Sequence, residues 1–148
     1  MAKIKIPLEI VEIDANSYHI FLSAIINDVN RDILIDTGAS RTVFNQEYMS
    51  ATTNIEADEV VSSGLGPGKI DTSIGLMKNF LIGDHEWHDV KAIFMDFSHI
   101  NELYRQISNK QIAGLIGGDF LYSTKARIDY KKSEITFFIP SKKKNIFG

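Results

Sequence analysis

Apolar residues recur at every second position through Ile4, Ile6, Leu8 and Ile10, and a second β-rich run covers Tyr18 to Ile26. Asp14-Ala15-Asn16-Ser17 separates the two runs as turn material. Alternation with period two marks half-buried strands, because successive side chains of a strand point to opposite faces. The pattern therefore predicts an opening hairpin. Ile33, Leu34 and Ile35 form a short, fully apolar third strand that delivers Asp36 into the polar loop Thr37-Gly38-Ala39-Ser40. Asn45 to Tyr48 has the composition of one helical turn, and Ile55 to Val61 reads as extended. Ser62 to Lys69 concentrates glycine and proline between two β-like stretches, the second being Ile70 to Leu76, which suits a hairpin with a mobile tip. Phe80 to Ile82 and Val90 to Phe94 supply further strands.

The period changes between Phe97 and Asn109. Ile100, Leu103, Tyr104 and Ile107 fall at helical spacing, with Ser98 as N-cap and Glu102 in the first turn, and a short amphipathic helix follows. Gln111 to Ile116 is an apolar strand ending in Gly117 and Gly118, after which Gly118 or Asp119 starts a second short helix, with Asp119 as its N-cap. Ala126 to Tyr130 and Ile135 to Ile139 close the chain as two strands around the turn Lys131-Lys132-Ser133. Together these elements describe a mainly β protein with one or two short helices, the pattern of a barrel-like or sandwiched sheet.

A chain of 148 residues suits a single domain spanning 1–148, large enough for a sizeable core. Residues 140–148, with Lys142-Lys143-Lys144, are expected to be a flexible basic tail. No apolar run approaches the ~20 residues that cross a bilayer, so a soluble protein is expected. Sixteen basic against 19 acidic side chains give a net charge of −3, which provides no overall basic field for nucleic acid or for an anionic membrane. The N-terminus lacks the continuous apolar segment of a secretory signal, and cytoplasmic residence is the expectation. There is no cysteine, which removes disulfides, thiolate metal sites and cysteine nucleophiles and leaves any chemistry to carboxylates, histidines, hydroxyls or lysines.

Asp36 is the leading chemical candidate. A carboxylate in a tight, glycine-containing turn at the edge of a hydrophobic core is partly shielded from water, and shielding suits it to acid/base work. The bland alternative is an aspartate that caps a turn. His85-Glu86-Trp87-His88 has chelating spacing for a helix, but it follows Gly83-Asp84 and leads into a strand, so it reads as a surface loop. His19 and His99 have no partner visible in sequence and read as structural or surface residues. Ser40 and Ser62 lack a neighbouring base or a nucleophile-elbow pattern. The glycine-rich segment does not match a phosphate loop, since Ile70 follows Gly68-Lys69. Asp71, Asp119 and Asp129 also lie beside glycine or apolar strands, yet none repeats the Asp-Thr-Gly pattern, which occurs once.

Four features in order give the chain a specific likeness: the apolar lead-in Ile33 to Ile35, the loop Asp36-Thr37-Gly38-Ala39-Ser40, the glycine-rich hairpin, and Leu115-Ile116-Gly117 followed by a short helix. Across about Tyr18 to Phe138 the sequence resembles the retropepsin-like aspartic proteases. The resemblance implies a retropepsin-like closed barrel, the acid-protease fold, and a homodimer in which Asp36 of each subunit joins one active site. Two carboxylates about 3 Å apart cannot both ionise and share one proton, which lets the pair activate a water molecule against a peptide bond. It further implies that Thr37 bonds across the dimer, that Gly38 permits close backbone approach and that Ala39 and Ser40 line the floor of the site. Gly64, Leu65, Gly66, Pro67 and Gly68 would form the tip of a flap, and Leu115, Ile116 and Gly117 would support the active-site loop. The implied substrate is a peptide or protein, with no metal or organic cofactor and no nucleic-acid or membrane partner.

The viral members of the family end in a strand used for dimerisation. Ile135 to Ile139 is the candidate for that strand here, although the basic tail beyond it departs from the viral pattern, as does the longer segment holding the Phe97 to Asn109 helix. An interface built differently is the alternative. The rival functional readings are a non-catalytic module of the same fold that binds peptides or self-associates, and an unrelated β-barrel in which Asp-Thr-Gly is only a turn.

Overall fold

Each early reversal of the chain is made by residues that tolerate a positive φ. Asn16 (φ 62°) turns strand β2 (Glu9–Asp14) into β3 (Ser17–Ile26), and Asn27 and Asp28 (φ 52° and 65°) turn β3 into β4 (Val29–Ile35). Two consecutive left-handed residues form the tight turn whose twist suits a two-residue hairpin, and Asn and Asp adopt that conformation most readily among residues with a side chain. The computed structural model describes residues 2–49 and 72–140. The expected strand Ile55 to Val61, the hairpin tip Gly64 to Gly68, Ser62, Asp71 and the residues from 141 onward lie outside the described residues.

The opening alternation belongs to two strands rather than one. β1 (Lys3–Pro7) pairs with the last strand of the chain, whereas β2 forms the predicted hairpin with β3. Pro7 has no N–H to continue a ladder, and the next amide, Leu8 N–H, is given to Ser133 O at 2.8 Å. After β4 come β5 (Val43–Asn45), a single 3-10 turn at Gln46–Tyr48, β6 (Ser73–Ile82) and β7 (His85–Met95). The separate stretches predicted at Ile70 to Leu76 and Phe80 to Ile82 are one strand within the described residues, and the predicted strand Val90 to Phe94 is the second half of β7. His85 to His88 is accordingly the start of a strand and not a surface loop. It pairs in register with Asn79 to Ile82 of β6.

The remaining elements are helix α1 (Ser98–Ser108), β8 (Ile112–Ile116), helix α2 (Gly118–Ser123), β9 (Arg127–Asp129) and β10 (Glu134–Phe138). Six strands, in the order β3-β4-β8-β5-β7-β6, close on themselves through Ala24↔Ile82 and Ile25↔Leu81, which pair β6 with β3. The result is a mostly β fold built on a closed barrel, with two helices, and β2 extends it along the first half of β3. β1, β10 and β9 form a separate three-stranded sheet. Both edges of β10 are taken within the chain, by β1 and by β9, so the Ile135 to Ile139 segment has no free edge to offer as the expected dimerisation strand.

Burial follows the period of two. Ile20, Leu22, Ala24 and Ile26 of β3 and Ile33 and Ile35 of β4 fill the main core together with Phe44, Phe80, Trp87, Phe94, Phe120 and Phe137. The alternate residue Phe21 points the other way and joins Phe97 and Ile112 in a second cluster, roofed by Ile100 and Tyr104 of α1. Phe120 is completely buried at the centre of an aromatic group, with Trp87, Phe137 and Phe80 rings at 4.9, 5.5 and 6.3 Å between centroids. The buried Trp87 indole N–H has no hydrogen-bond partner among the described residues, and aromatic rings surround it.

Because this ring group joins α2 to β6, β7 and β10, Phe120→Ala is expected to destabilise the fold by about 3–5 kcal/mol, the usual range for a buried Phe truncation. Urea unfolding monitored by Trp87 fluorescence measures it, and a loss below about 1 kcal/mol would show that the contacts around Phe120 are not the core.

Candidate active site

Strands β4 and β5 flank the Asp36 loop but do not pair with each other. β8 lies between them, parallel to β4 (Leu34↔Leu115, Ile35↔Ile116) and antiparallel to β5 (Val43↔Leu115). The loop must therefore cross the end of β8, and its first residue is secured there: Asp36 N–H donates to Ile116 O at 3.0 Å. The chain then turns tightly, with Gly38 N–H donating to Asp36 Oδ1 at 3.0 Å and Ala39 N–H to Asp36 O at 3.2 Å. A β-carbon at Gly38 would stand 3.3 Å from Asp36 Oδ1, so a side chain there would crowd the carboxylate. Asp36 is thus a turn-forming aspartate through Oδ1, while Oδ2 has no hydrogen-bond donor among the described residues. Its side chain is half-buried, and Thr37, Gly38 and Ser40 are exposed.

The far side of the loop is clamped to α2. Gly118 N–H donates to Ala39 O at 2.7 Å and Asp119 N–H to Ser40 O at 3.2 Å. Gly117 leaves no room for any side chain, because a β-carbon there would meet Arg41 O at 2.5 Å and Ala39 O at 2.8 Å. Thr42, fully buried, donates its hydroxyl to Asp119 Oδ1 at 2.7 Å and accepts Gly117 N–H at 3.2 Å. Asp119 also accepts Phe120 N–H at 2.7 Å, and Arg41 Nε lies 3.9 Å from its other oxygen. The N-cap of α2 is Gly117, so Asp119 is not the cap that its position suggested but a brace between loop and helix. Asp129 closes the β9–β10 turn by accepting Lys132 N–H at 3.0 Å.

Asp36 and Thr37 open onto a cleft of about 320 Å³. Tyr18, His19 and Ile20 of β3, Leu34 and Ile35 of β4, Ile128 of β9 and Tyr130 line it. Helix α1 stands behind His19. Its starting residue is Ser98 and its N-cap is Phe97, while the Ser98 hydroxyl and N–H both go to Asp96 Oδ1. These bonds, the side-chain one foremost, hold the Asp96 carboxyl below its usual pKa. Glu102 lies beyond the first turn. The amide of Asn101 docks the helix on β8 by accepting Ile112 N–H at 2.5 Å and donating to Ile112 O at 3.1 Å. One turn later Tyr104 Oη lies 2.6 Å from His19 Nδ1. Burial, and after it the charge of Asp36, pushes the Tyr104 phenol above its usual pKa.

The structure therefore brings Asp36, Thr37, Gly38, Ala39 and Ser40 together with Leu115, Ile116 and Gly117, while Gly64 to Gly68 lie outside the described residues. His85 packs edge-on to Trp87, and His88 Nδ1 lies 2.6 Å from Asn79 Oδ1 across the strand pair. Burial, then His88, lowers the His85 pKa. Among the described residues no group of three or more His, Cys, Asp or Glu side chains could hold a metal ion. No helix among them is long and apolar enough to cross a membrane. Thr42, Asn101, and the pairing of His19 with Tyr104 escaped the sequence reading. The available signal for Tyr104 was a hydroxyl on the apolar stripe of the helix; Thr42 carried none.

The family model described as aspartyl protease matches residues 22–120, from β3 through the first turn of α2. The chain belongs to the aspartyl protease family. The matched segment contains the Asp36 loop, β8 and the brace at Asp119. Among curated proteins no sequence matches this family member significantly. Solved structures share its fold, among them the following two. A retropepsin-like aspartic protease from Rickettsia conorii is 18% identical, with 92% of this chain and 90% of that one covered and a TM-score of 0.50. The retroviral protease-like domain of Ddi1 from Leishmania major is 16% identical, with 83% and 95% covered and a TM-score of 0.55. The fold is retropepsin-like.

Thr42→Val keeps the shape of the side chain but strands the Gly117 N–H in a buried site. It is expected to cost about 1–3 kcal/mol of stability, read as a shift of the urea midpoint. An unchanged midpoint would mean that the loop does not depend on this brace.

Proposed function

We propose that this chain supplies one half of an aspartic endopeptidase, in which Asp36 of two identical subunits forms the acid/base pair across a two-fold axis. The observation that carries the reading is the Asp36 carboxylate itself: it occurs on a single Asp-Thr-Gly loop, its backbone is held by Ile116, and it opens onto a cleft lined by apolar and aromatic side chains. The exposed Thr37 and Gly38 beside it leave the loop free to meet its copy. Thr37 would bond across the axis, Gly38 would allow the two loops to approach, and Ala39 and Ser40 would floor the site. Leu115, Ile116 and Gly117 would back the loop, with Thr42 and Asp119 locking it to α2.

Two such carboxylates share one proton and titrate as a unit. The ionised one takes a proton from water as the water oxygen attacks the peptide carbonyl carbon. The protonated one gives its proton to the carbonyl oxygen, so a neutral tetrahedral diol forms without a covalent link to the protein. Proton transfer to the amide nitrogen and return of a hydroxyl proton to the pair then break the C–N bond and restore one shared proton. The peptide would lie extended across both subunits, with the flap formed by Gly64, Leu65, Gly66, Pro67 and Gly68 closing over it and excluding water. No metal or organic cofactor takes part in these steps. The subunit contact would be made by the loop side of the molecule, since β10 has no free edge.

Asp36→Asn is expected to lower kcat for peptide cleavage by about 10²–10⁴-fold, the usual contribution of a general acid/base pair, while thermal unfolding and dimer mass stay those of the wild type. Peptide hydrolysis and analytical ultracentrifugation on the same samples check this. Undiminished cleavage by the variant would rule the mechanism out.

A further inference from the structure

The cleft beside Asp36 is not lined by apolar groups alone. His19 is part of its wall, and its Nδ1 is engaged by the Tyr104 hydroxyl at 2.6 Å, from a helix 85 residues further along the chain. Tyr104 is held from several sides. Its ring meets Phe21 edge-on at 5.9 Å, and Asn101 one turn earlier clamps both backbone groups of Ile112. The phenol keeps its proton at neutral pH, because burial and the nearby Asp36 charge both disfavour the phenolate.

A phenol that keeps its proton determines which imidazole nitrogen carries hydrogen. With neutral His19, the Tyr104 O–H donates to Nδ1, and the imidazole proton must sit on Nε2. With protonated His19, Nδ1–H donates to the phenol oxygen and Nε2 carries a proton as well. In either state Nε2–H is a donor, and it has no hydrogen-bond partner among the described residues. The rest of the lining is mixed: Ile20, Leu34, Ile35 and Ile128 are apolar, while Tyr18, Asp36, Thr37 and Tyr130 bring polar groups, the Tyr18 hydroxyl being given to Glu12 at 3.2 Å. A donor whose direction is fixed by a second side chain, set beside apolar neighbours such as Ile20 and Ile128, is an arrangement that selects among bound side chains.

We infer that His19 is a specificity-determining residue that donates its Nε2–H to a substrate side chain ending in a carbonyl or carboxylate oxygen, that is Glu, Gln, Asp or Asn, close to the scissile bond. Tyr104 is its positioning residue. The inference rests on the reading of Asp36 as half of a peptidase site. An aliphatic substrate side chain in the same recess would leave the donor without a partner once water is displaced, and selection against it follows from that loss.

The test is cleavage-site profiling of the full-length dimer on a proteome-derived peptide library, followed by kcat/KM on matched peptides that carry Gln or Leu at the selected position. The wild type is expected to enrich Glu, Gln, Asp or Asn at one position near the cleaved bond. His19→Leu should lower the Gln-to-Leu ratio of kcat/KM about tenfold, the worth of one buried hydrogen bond, and His19→Gln, which keeps an N–H donor, should restore part of it. Tyr104→Phe should lower the ratio less, and 15N spectra of His19 should show the Nε2–H tautomer dominant in the wild type but mixed in that variant. Asp36-dependent cleavage without such enrichment, or with enrichment that His19→Leu leaves intact, overturns this inference alone. Absence of any Asp36-dependent cleavage overturns the peptidase reading and this one with it.

Discussion

The position of Asp36 is set by a strand that the chain makes nearly eighty residues later. β8 inserts between β4 and β5, the strands on either side of the Asp36 loop, and Ile116 O accepts the Asp36 N–H at 3.0 Å. A parallel neighbour cannot be reached by a tight turn, so the chain has to travel around the barrel before β8 can be laid down. The loop is then trapped between the end of β8 and the start of α2. Gly117 lets the backbones touch, and Thr42 and Asp119 tie the contact with hydrogen bonds in a buried setting where an unmade bond is costly. A carboxylate held this way loses little freedom when a second group approaches it, which is the condition for preorganised acid/base chemistry.

The same strands that build the barrel also build the cleft. Along β3 the even-numbered residues from Ile20 to Ile26 fill the interior, whereas His19 and Phe21 face outward toward α1. On β4, Ile33 and Ile35 go in, and Leu34 faces the second cluster. The helix therefore does two things with one face. Ile100 and Tyr104 cover Phe21 and Ile112, and the hydroxyl of the half-buried Tyr104 finds its partner in His19, a residue of the cleft wall. Core packing and the chemistry of the recess are linked through that one side chain.

Local patterns made much of this legible. Period two gave the β2–β3 hairpin, helical spacing gave α1, and the glycine pair after Ile116 marked the start of α2. The order of the Asp36 loop and Leu115-Ile116-Gly117 pointed to the retropepsin-like fold, because each of these short segments does its work through backbone geometry that few residues permit. What sequence could not reveal depends on contacts distant along the chain. The opening alternation hides a change of sheet at Pro7, since β1 finds its partner only in β10. Asp119 looked like an N-cap because caps are local, while its actual partner Thr42 lies 77 residues away. His85 to His88 looked like a loop because it follows the turn residues Gly83-Asp84 and leads into an apolar strand, yet the strand already begins at His85, where polar residues alternate with Trp87. On a strand that alternation is one wet face and one buried face.

The central claim is that Asp36 is half of a site that a second copy of the chain completes. Mixing wild-type protein with increasing amounts of Asp36→Asn at constant total concentration, with time for subunits to exchange, tests it most directly. If both carboxylates are needed, only wild-type pairs cleave peptide, and an equal mixture retains about one quarter of the full activity, as random pairing of two identical subunits requires. Activity that falls in simple proportion to the wild-type fraction, to about one half in the equal mixture, would mean that each chain acts alone and would contradict the account.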